Sequence, residues 1–289
     1  MSPDTSQVWF ITGASTGLGR AVTTHALLAG HRVVATLRTP SALSALQAQH
    51  DAAHLLVLPL DVTDARAVKA AFARAVAVFG RVDVVYNNAG WTYFGEVEGE
   101  GEGGEEAART LFEVNFWGAV CVAREAVKTF REVNPRGAGG RLLQVSSLFA
   151  HEAIPVAGFY CASKAALEAI TESLSKELDP EWNVKITTLV PGLFPTAIVT
   201  PTTLTLPPHP AYTSPSNASF QTRQWLAEAY APSNSVEKYA ACVLRVARAE
   251  SPPGRLVLGM DAVERVRGAL GRLGGEVEGY EGWSEGMSL

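Results

Sequence analysis

The chain has 289 residues, is 47% hydrophobic and 18% charged, and carries a net charge of −5. That suits one large α/β domain or two small ones, with a sizeable core. It argues against nucleic acid as the main partner, since no basic block stands out and "ERVRGALGRL" (264–273) reads as a solvated helix face.

Cys121, Cys161 and Cys242 lie far apart with no CxxC, which favours free thiols in a reducing compartment. Cys161, beside Tyr160, reads as a buried or inert thiol, with a reactive thiol as the alternative. The six His show no ligand spacing, so no metal site is expected. No apolar stretch approaches the roughly 20 residues of a membrane span. The first residues, "MSPDTSQVWFITG", lack a signal peptide's charged and apolar regions. These features set the expectation of a cytoplasmic protein.

Seven short apolar runs recur along the chain: "VWFIT" (8–12), "RVVATL" (32–37), "HLLVLPL" (54–60), "VDVVYN" (82–87), "RLLQVS" (141–146), "VKITTLV" (184–190) and "RLVLG" (255–259). They are mostly uninterrupted, the mark of strands buried on both faces. Helical patterns lie between them, such as "LGRAVTTHALLAG" with Gly30 as a natural stop. The alternation predicts α/β architecture: a doubly wound parallel sheet of about seven strands with helices on both faces.

Between the first strand and first helix lies "ITGASTGLGRA" (11–21). Gly13, Gly17 and Gly19 remove side chains where a backbone turns tightly, and the helix N-terminus behind them offers free amides to a phosphate. A glycine-rich turn without a ligand is the bland alternative.

After the fourth strand comes "NNAG" (87–90), then Trp91, Tyr93 and Phe94. "GEVEGEGEGGEE" (95–106) is almost all Gly and Glu and reads as a mobile surface loop unable to pack a core, its last acids also suited to the N-terminus of the helix that follows. Long helices are expected at about 107–132 and 160–178. Residues 193–222 are rich in Pro, Thr and Ser, so a substrate loop or lid is expected over about 193–234. Residues 1–273 would form one domain, with 274–289 a flexible tail.

Within "FYCASKAAL" (159–167), Tyr160 and Lys164 share a helix face one turn apart. Alone, the pair could be a solvated surface contact. As chemistry it makes sense because a free Tyr, with a pKa of about 10, is a poor base at neutral pH. Lowering that by about three units takes roughly 4 kcal/mol of preferential phenolate stabilisation, which a nearby ammonium helps to supply.

Taken in order, T-G-x-x-x-G-x-G, "NNAG", Asn115, Ser147, "YCASK" (160–164) and "PG" (191–192) resemble the short-chain dehydrogenase/reductase family. The resemblance is clear over about residues 7–200 and looser beyond. It implies a single Rossmann-type domain and an oxidoreductase passing hydride between a nicotinamide and a ketone/secondary-alcohol pair. Tyr160 would be the general acid or base. Lys164 would lower its pKa and bond the nicotinamide ribose. Ser147 would hold the substrate oxygen, and Asn115 would interrupt its helix and hold a water near Lys164. Ser146 reads as structural. Capping of a loop by Ser146 and Ser147, or helix kinking by Asn115, are the plainer alternatives.

The same resemblance assigns Ser15, Thr16, Leu18, Asn88, Ala89, Gly90, Asp61 and Val62 to cofactor contacts, with Gly13, Gly17 and Gly19. Tyr160, Lys164, Pro191, Gly192 and Thr196 would meet the nicotinamide half. Asp61 could equally cap a turn or helix. In "VVATLRTP" Leu37 stands where an acid would bind the NAD ribose, and Arg38 follows, as suits the 2′-phosphate of NADP(H). The cofactor expected is therefore NADP(H), in a branch resembling 17β-hydroxysteroid dehydrogenase-like carbonyl reductases.

Trp91, Tyr93, Phe94, Phe149 and Phe194 flank motifs that meet at the strands' carboxyl ends. They are read as an aromatic pocket for a bulky hydrophobic or aromatic carbonyl compound, or individually as core anchors. His151 is read as a solvated loop residue, with a polar substrate contact as the alternative. A nucleotide-binding sensor or scaffold, and a non-redox isomerase or cyclase, are the competing readings. The two long helices resemble those that pair across subunits in this family, so a homodimer or homotetramer is expected.

Overall fold

The computed structural model describes residues 6–99, 103–196, 198–199, 203–229, 231–232 and 234–287. Seven strands form one all-parallel sheet: β1 (Val8–Thr12), β2 (Arg32–Leu37), β3 (Leu55–Pro59), β4 (Val84–Asn87), β5 (Gly140–Val145), β6 (Val184–Pro191) and β7 (Arg255–Leu258). Their order is β3-β2-β1-β4-β5-β6-β7. Each apolar run became a strand, with ends shifted by one or two residues. The order reverses between β1 and β4, which opens a crevice at the carboxyl ends of the strands.

The uninterrupted apolar runs follow from helices covering both faces. Successive strand residues point to opposite sides. Trp9 and Ile11 pack with Val33, Tyr86 and Leu189 beneath α1 (Gly17–Leu28) and α8 (Val236–Arg248). Val8 and Phe10 face the other way, into a cluster with Phe72 and Phe130 under α3 (Ala65–Phe79) and α5 (Ala119–Glu132). Phe10 and Phe72 stack with ring centroids 4.1 Å apart. Helix ends obey local chemistry: Asp64 caps α3 by accepting from Arg66 and Ala67 N–H, and Gly80 ends it at φ +79°.

The remaining helices are α2 (Ser44–Gln47), α4 (Gly104–Phe112), α6 (Gly158–Glu177), α7 (Ala218–Gln224) and α9 (Met260–Tyr280). The first expected long helix is α4 and α5 joined by a π-helical segment, Glu113–Gly118. No helix among the described residues is long and apolar enough to cross a membrane.

Two expectations need correction. The Gly/Glu stretch is not uniformly a surface loop. Its residues 100–102 lie outside the described residues, but Glu96 is 6% exposed, and the last residues open α4 with Glu105 and Glu106 in its first turn. Acids there are favoured by the helix dipole. The tail from 274 is helical as far as Tyr280, though exposed. Ala262 and Val266 anchor α9 in an apolar cluster, and extending an existing helix costs far less than starting one.

Candidate active site

A cleft of about 800 Å³ runs across the carboxyl ends of the strands. One end is built by the turn between β1 and α1. Gly13 and Gly17 adopt φ of +66° and +54°, a region that L side chains rarely occupy. A Cβ on Gly19 would fall on the Gly13 carbonyl and lie 2.7 Å from Asn88 Nδ2, so a side chain has no room there. Thr12 fixes this end from below. Its hydroxyl accepts from Asn88 N–H at 2.9 Å and Ala89 N–H at 3.0 Å, and donates to Asn87 Oδ1 at 3.3 Å. Asn88 Nδ2 donates to the carbonyls of Thr12 and Gly13. The two strands flanking the switch point are thus locked to one another.

Ser15, Thr16, Leu18, Arg38, Asp61, Val62, Asn88, Ala89, Gly90, Pro191, Gly192 and Thr196 all line the cleft with Gly13 and Gly17, whereas Gly19 packs behind the turn against the Gly13 carbonyl. Arg38 is exposed at the end of β2, whereas Leu37 is buried in the core at 3% exposure. Asp61 does cap a turn: its Oδ1 accepts from the N–H and hydroxyl of Thr63 at 2.9 and 2.7 Å. Those bonds to Thr63 hold its carboxyl below the usual range, with a smaller contribution from Arg38. The donated backbone, open glycine turn and helix N-terminus fit a dinucleotide phosphate group.

The centre of the cleft answers the question raised by Tyr160 and Lys164. They are no surface pair: Tyr160 is 8% exposed and Lys164 4%. The Lys164 ammonium lies 5.9 Å from the Tyr160 ring centroid and donates to the Val145 carbonyl at 3.1 Å. Burial brings its pKa down to about 8, against an opposing pull from Glu168. Ser147, 6% exposed, stands at the exit of β5, and its Oγ accepts from Phe149 N–H at 3.2 Å. The plain capping role is therefore real, and it orients a hydroxyl that lines the cleft beside Tyr160.

Asn115 sits fully buried in the π-helical segment. Its side chain clamps Trp91, accepting from the backbone N–H at 3.0 Å and donating to the carbonyl at 2.9 Å. A Cβ on Gly90 would lie 3.0 Å from Asn115 Oδ1 and 3.5 Å from Lys164 Nζ, so these three residues converge. Ser146, as expected, turns away and donates to Glu168 at 2.6 Å.

The other end of the cleft is apolar. Trp91, Phe94, Phe149 and Phe194 line it, joined by Ile154, Ile198, Val199, Leu204, Trp225 and Leu226. Tyr93 does not line it, which corrects the reading of five pocket aromatics. It is 4% exposed, stacks on Phe159 at 6.5 Å and is held in an apolar cluster with Leu111 and Ala157, while Trp91 and Phe94 face the cleft. Phe194 does both jobs, meeting Tyr239 edge-on at 5.0 Å. His151 is not solvated: its Nε2 lies 3.1 Å from Glu168 Oε2, at an angle poor for a hydrogen bond. Cys161 is buried, and burial pushes its thiol up.

Part of the expected substrate loop is fastened over this end. Phe94 N–H donates to Leu204 O at 2.9 Å and Leu206 N–H to Phe94 O at 2.7 Å. Arg223 grips Glu96 with Nε at 2.9 Å and Nη2 at 2.6 Å, and its Nη1 donates to Leu206 O at 2.9 Å. Trp225 and Leu226 follow two and three residues later in the chain and form cleft wall. Sequence reading missed Thr12, Glu96, Arg223, Glu168 and Asp261. Thr12 was open to discovery, as the Thr of T-G-x-x-x-G-x-G. Asp261, whose Oδ2 accepts from Leu193 N–H at 2.7 Å behind the Pro191–Gly192 turn, had no local signal.

The glycine turn with its helix N-terminus and the buried Ser147, Tyr160 and Lys164 thus line one continuous cleft. Residues 7–206 match the short chain dehydrogenase family, and the chain belongs to it. An uncharacterized oxidoreductase of Schizosaccharomyces pombe is 37% identical over 268 residues, 93% of this chain and 87% of that protein. The oxidoreductase calM of Penicillium decumbens is 36% identical over 269 residues, 91% and 86% of the two chains. Among solved structures, a short-chain dehydrogenase from Streptomyces avermitilis superposes with a TM-score of 0.87 at 33% identity, covering 99% of this chain and 100% of that one.

Proposed function

We propose that the protein is an NADPH-dependent carbonyl reductase, interconverting a bulky hydrophobic or aromatic ketone and its secondary alcohol. The observation that carries this reading is the burial of Tyr160 and Lys164 together at the junction of the glycine-turn end and the apolar end of one cleft. Arg38 at the exposed end of β2, with buried Leu37 in place of an acid, supports the choice of NADP(H) over NAD.

The bound nicotinamide would supply or accept the hydride at the substrate carbon. In reduction, Tyr160 gives its phenolic proton to the carbonyl oxygen as that oxygen gains charge; in oxidation it takes the proton back. The Ser147 hydroxyl donates to the same oxygen and stabilises its developing charge. Lys164 is mostly protonated below a pKa of about 8, and its ammonium favours the phenolate. Asn115 fixes the Trp91 backbone and thereby the first wall of the substrate end. The aromatic and aliphatic walls keep water from the reacting atoms and bind an apolar substrate.

Exposed Trp117 and Ile170, on the faces of the long helices, support assembly as a homodimer or homotetramer. A monomeric mass in light scattering at micromolar concentration would count against it.

The test is nicotinamide fluorescence titration with NADPH and NADH, on wild type, Arg38→Ala and Arg38→Asp, followed by a ketone panel. Tighter NADPH binding that both variants lose establishes the 2′-phosphate contact. Equal binding of both cofactors removes Arg38 from the reading. Binding of neither overturns the reading as a whole.

A further inference from the structure

Glu168 follows Lys164 by one turn on α6 and is 5% exposed, though it is a carboxylate. An unpartnered buried charge costs several kcal/mol, so its surroundings must compensate it. Its partners come from separate elements. Ser146 Oγ donates at 2.6 Å from the end of β5, and Arg255 Nε donates at 3.0 Å from β7. His151 Nε2 stands 3.1 Å away in the turn after β5. Burial alone would raise the carboxyl; His151, Ser146 and Arg255 outweigh it and hold the group below its usual range.

Two further charges complete the surroundings. Glu172, on the same helix, shares Arg255 at 3.7 Å, and Glu152, next to His151, is paired with Arg265 of α9. Glu152 is answered by that arginine, and Glu172 pairs more closely with Lys176, at 2.6 Å. Lys164 lies on the helix face that Glu168 shares, and the Glu168 carboxylate acts on its ammonium.

The location gives this carboxylate leverage. The Val145 carbonyl holds the Lys164 ammonium, Ser146 bonds Glu168, and Ser147 presents its hydroxyl to the cleft. Three consecutive residues at the mouth of β5 therefore connect Lys164, Glu168 and the substrate end.

We propose that Glu168 is a positioning residue for the reaction: it pins the β5 exit to α6 and sets a buried negative charge one helical turn from the Lys164 ammonium. The proposal rests on the reading of Tyr160 and Lys164 as the proton-transfer pair. Glu168 itself touches neither substrate nor cofactor.

The experiment is a pH titration of the full-length protein carrying 13C-labelled lysine side chains, without cofactor, with Lys164→Met assigning the Lys164 signal. Wild-type Lys164 titrates at about 8. In Glu168→Gln its midpoint falls by about one unit, the effect of one lost neighbouring charge, while far-ultraviolet circular dichroism is unchanged. In Glu168→Asp the midpoint moves part of the way back. In turnover at pH 7.5, kcat of Glu168→Gln falls about tenfold with KM and NADPH affinity held, a split that loosened packing would not give.

If Glu168→Gln does not fold, Ser146→Ala removes the bond to β5 and leaves the carboxylate in place. It then lowers kcat with KM held and leaves the Lys164 midpoint near 8. A Lys164 midpoint that stays put in folded Glu168→Gln overturns the proposal, as does unchanged kcat in Ser146→Ala. Failure of the underlying reading looks different: Tyr160→Phe would then turn over as wild type, whatever the lysine titration shows.

Discussion

Removing the Arg223 guanidinium tests whether the acidic segment after β4 is part of the folded protein. Arg223→Met deletes two hydrogen bonds to Glu96 and one to the Leu206 carbonyl. It leaves a carboxylate of 6% exposure facing little more than the His209 N–H at 3.4 Å. Stranding one partner of a buried ion pair costs about 3 kcal/mol. Glu96→Gln should cost less, about 1 kcal/mol, because the amide oxygen still accepts from Arg223. The double variant should cost less than the sum of the singles, with a coupling of about 2 kcal/mol.

The location of the loss identifies what the pair holds. If it secures only the loop, global melting changes little, and hydrogen exchange at Phe94 and Leu206 speeds up about 100-fold, the kinetic equivalent of about 3 kcal/mol. Substrate KM rises while NADPH affinity stays. The pH dependence has a definite sign. The bonds from Arg223 hold the Glu96 carboxyl below its usual range. Its contribution is thus fully present above the ordinary carboxylate pKa and is lost as pH falls through the depressed value. Wild type should loosen at this loop on acidification, and Glu96→Gln should not. Singles that each cost under about 0.5 kcal/mol and add without coupling would show a solvated surface pair and refute the argument.

Three further outcomes follow from the same geometry. Gly19→Ala puts a methyl group onto the Gly13 carbonyl, a backbone atom that must move, so dinucleotide binding measured by fluorescence should be lost and the melting temperature should fall as well. Tyr160→Phe keeps the ring in its apolar surroundings but removes the proton donor; turnover should fall at least 100-fold with NADPH affinity intact, and undiminished turnover would strip Tyr160 of its role. Gly140→Ala drives a methyl group into the Phe130 ring under the sheet, and chemical denaturation should report a loss of about 1–3 kcal/mol with no change in cofactor preference.

The sheet was legible because its central strands are covered on both faces, which writes them as unbroken apolar runs, Val8–Thr12 and Val184–Pro191 among them. The glycine turn and the Tyr160–Lys164 pair were legible because each is local, with spacing set by a tight turn or one turn of helix. What escaped is non-local. Glu96 and Arg223 are 127 residues apart, and Glu96 sits in a run whose composition reads as solvated. Glu168 looks like any acid on an amphipathic helix until Ser146 and Arg255 close on it. Tyr93 and Phe94 are adjacent and chemically alike, so only the path of the backbone decides which one faces the cleft.

The π-helical segment also bears on how this chain can vary. A wide turn amounts to one residue more than a regular helix needs. Deleting a single residue within Glu113–Gly118 would let α4 and α5 run on as one ordinary helix, satisfying local geometry. It would also rotate everything on one side by about 100°. Either Asn115 would swing away from the Trp91 backbone, or Leu111, Ala107 and Ala108 would leave their apolar cluster. The length of this segment is therefore constrained more tightly than its composition. Substitutions along it can be absorbed one at a time, whereas a one-codon deletion would set the wall of the substrate end against the core beneath it.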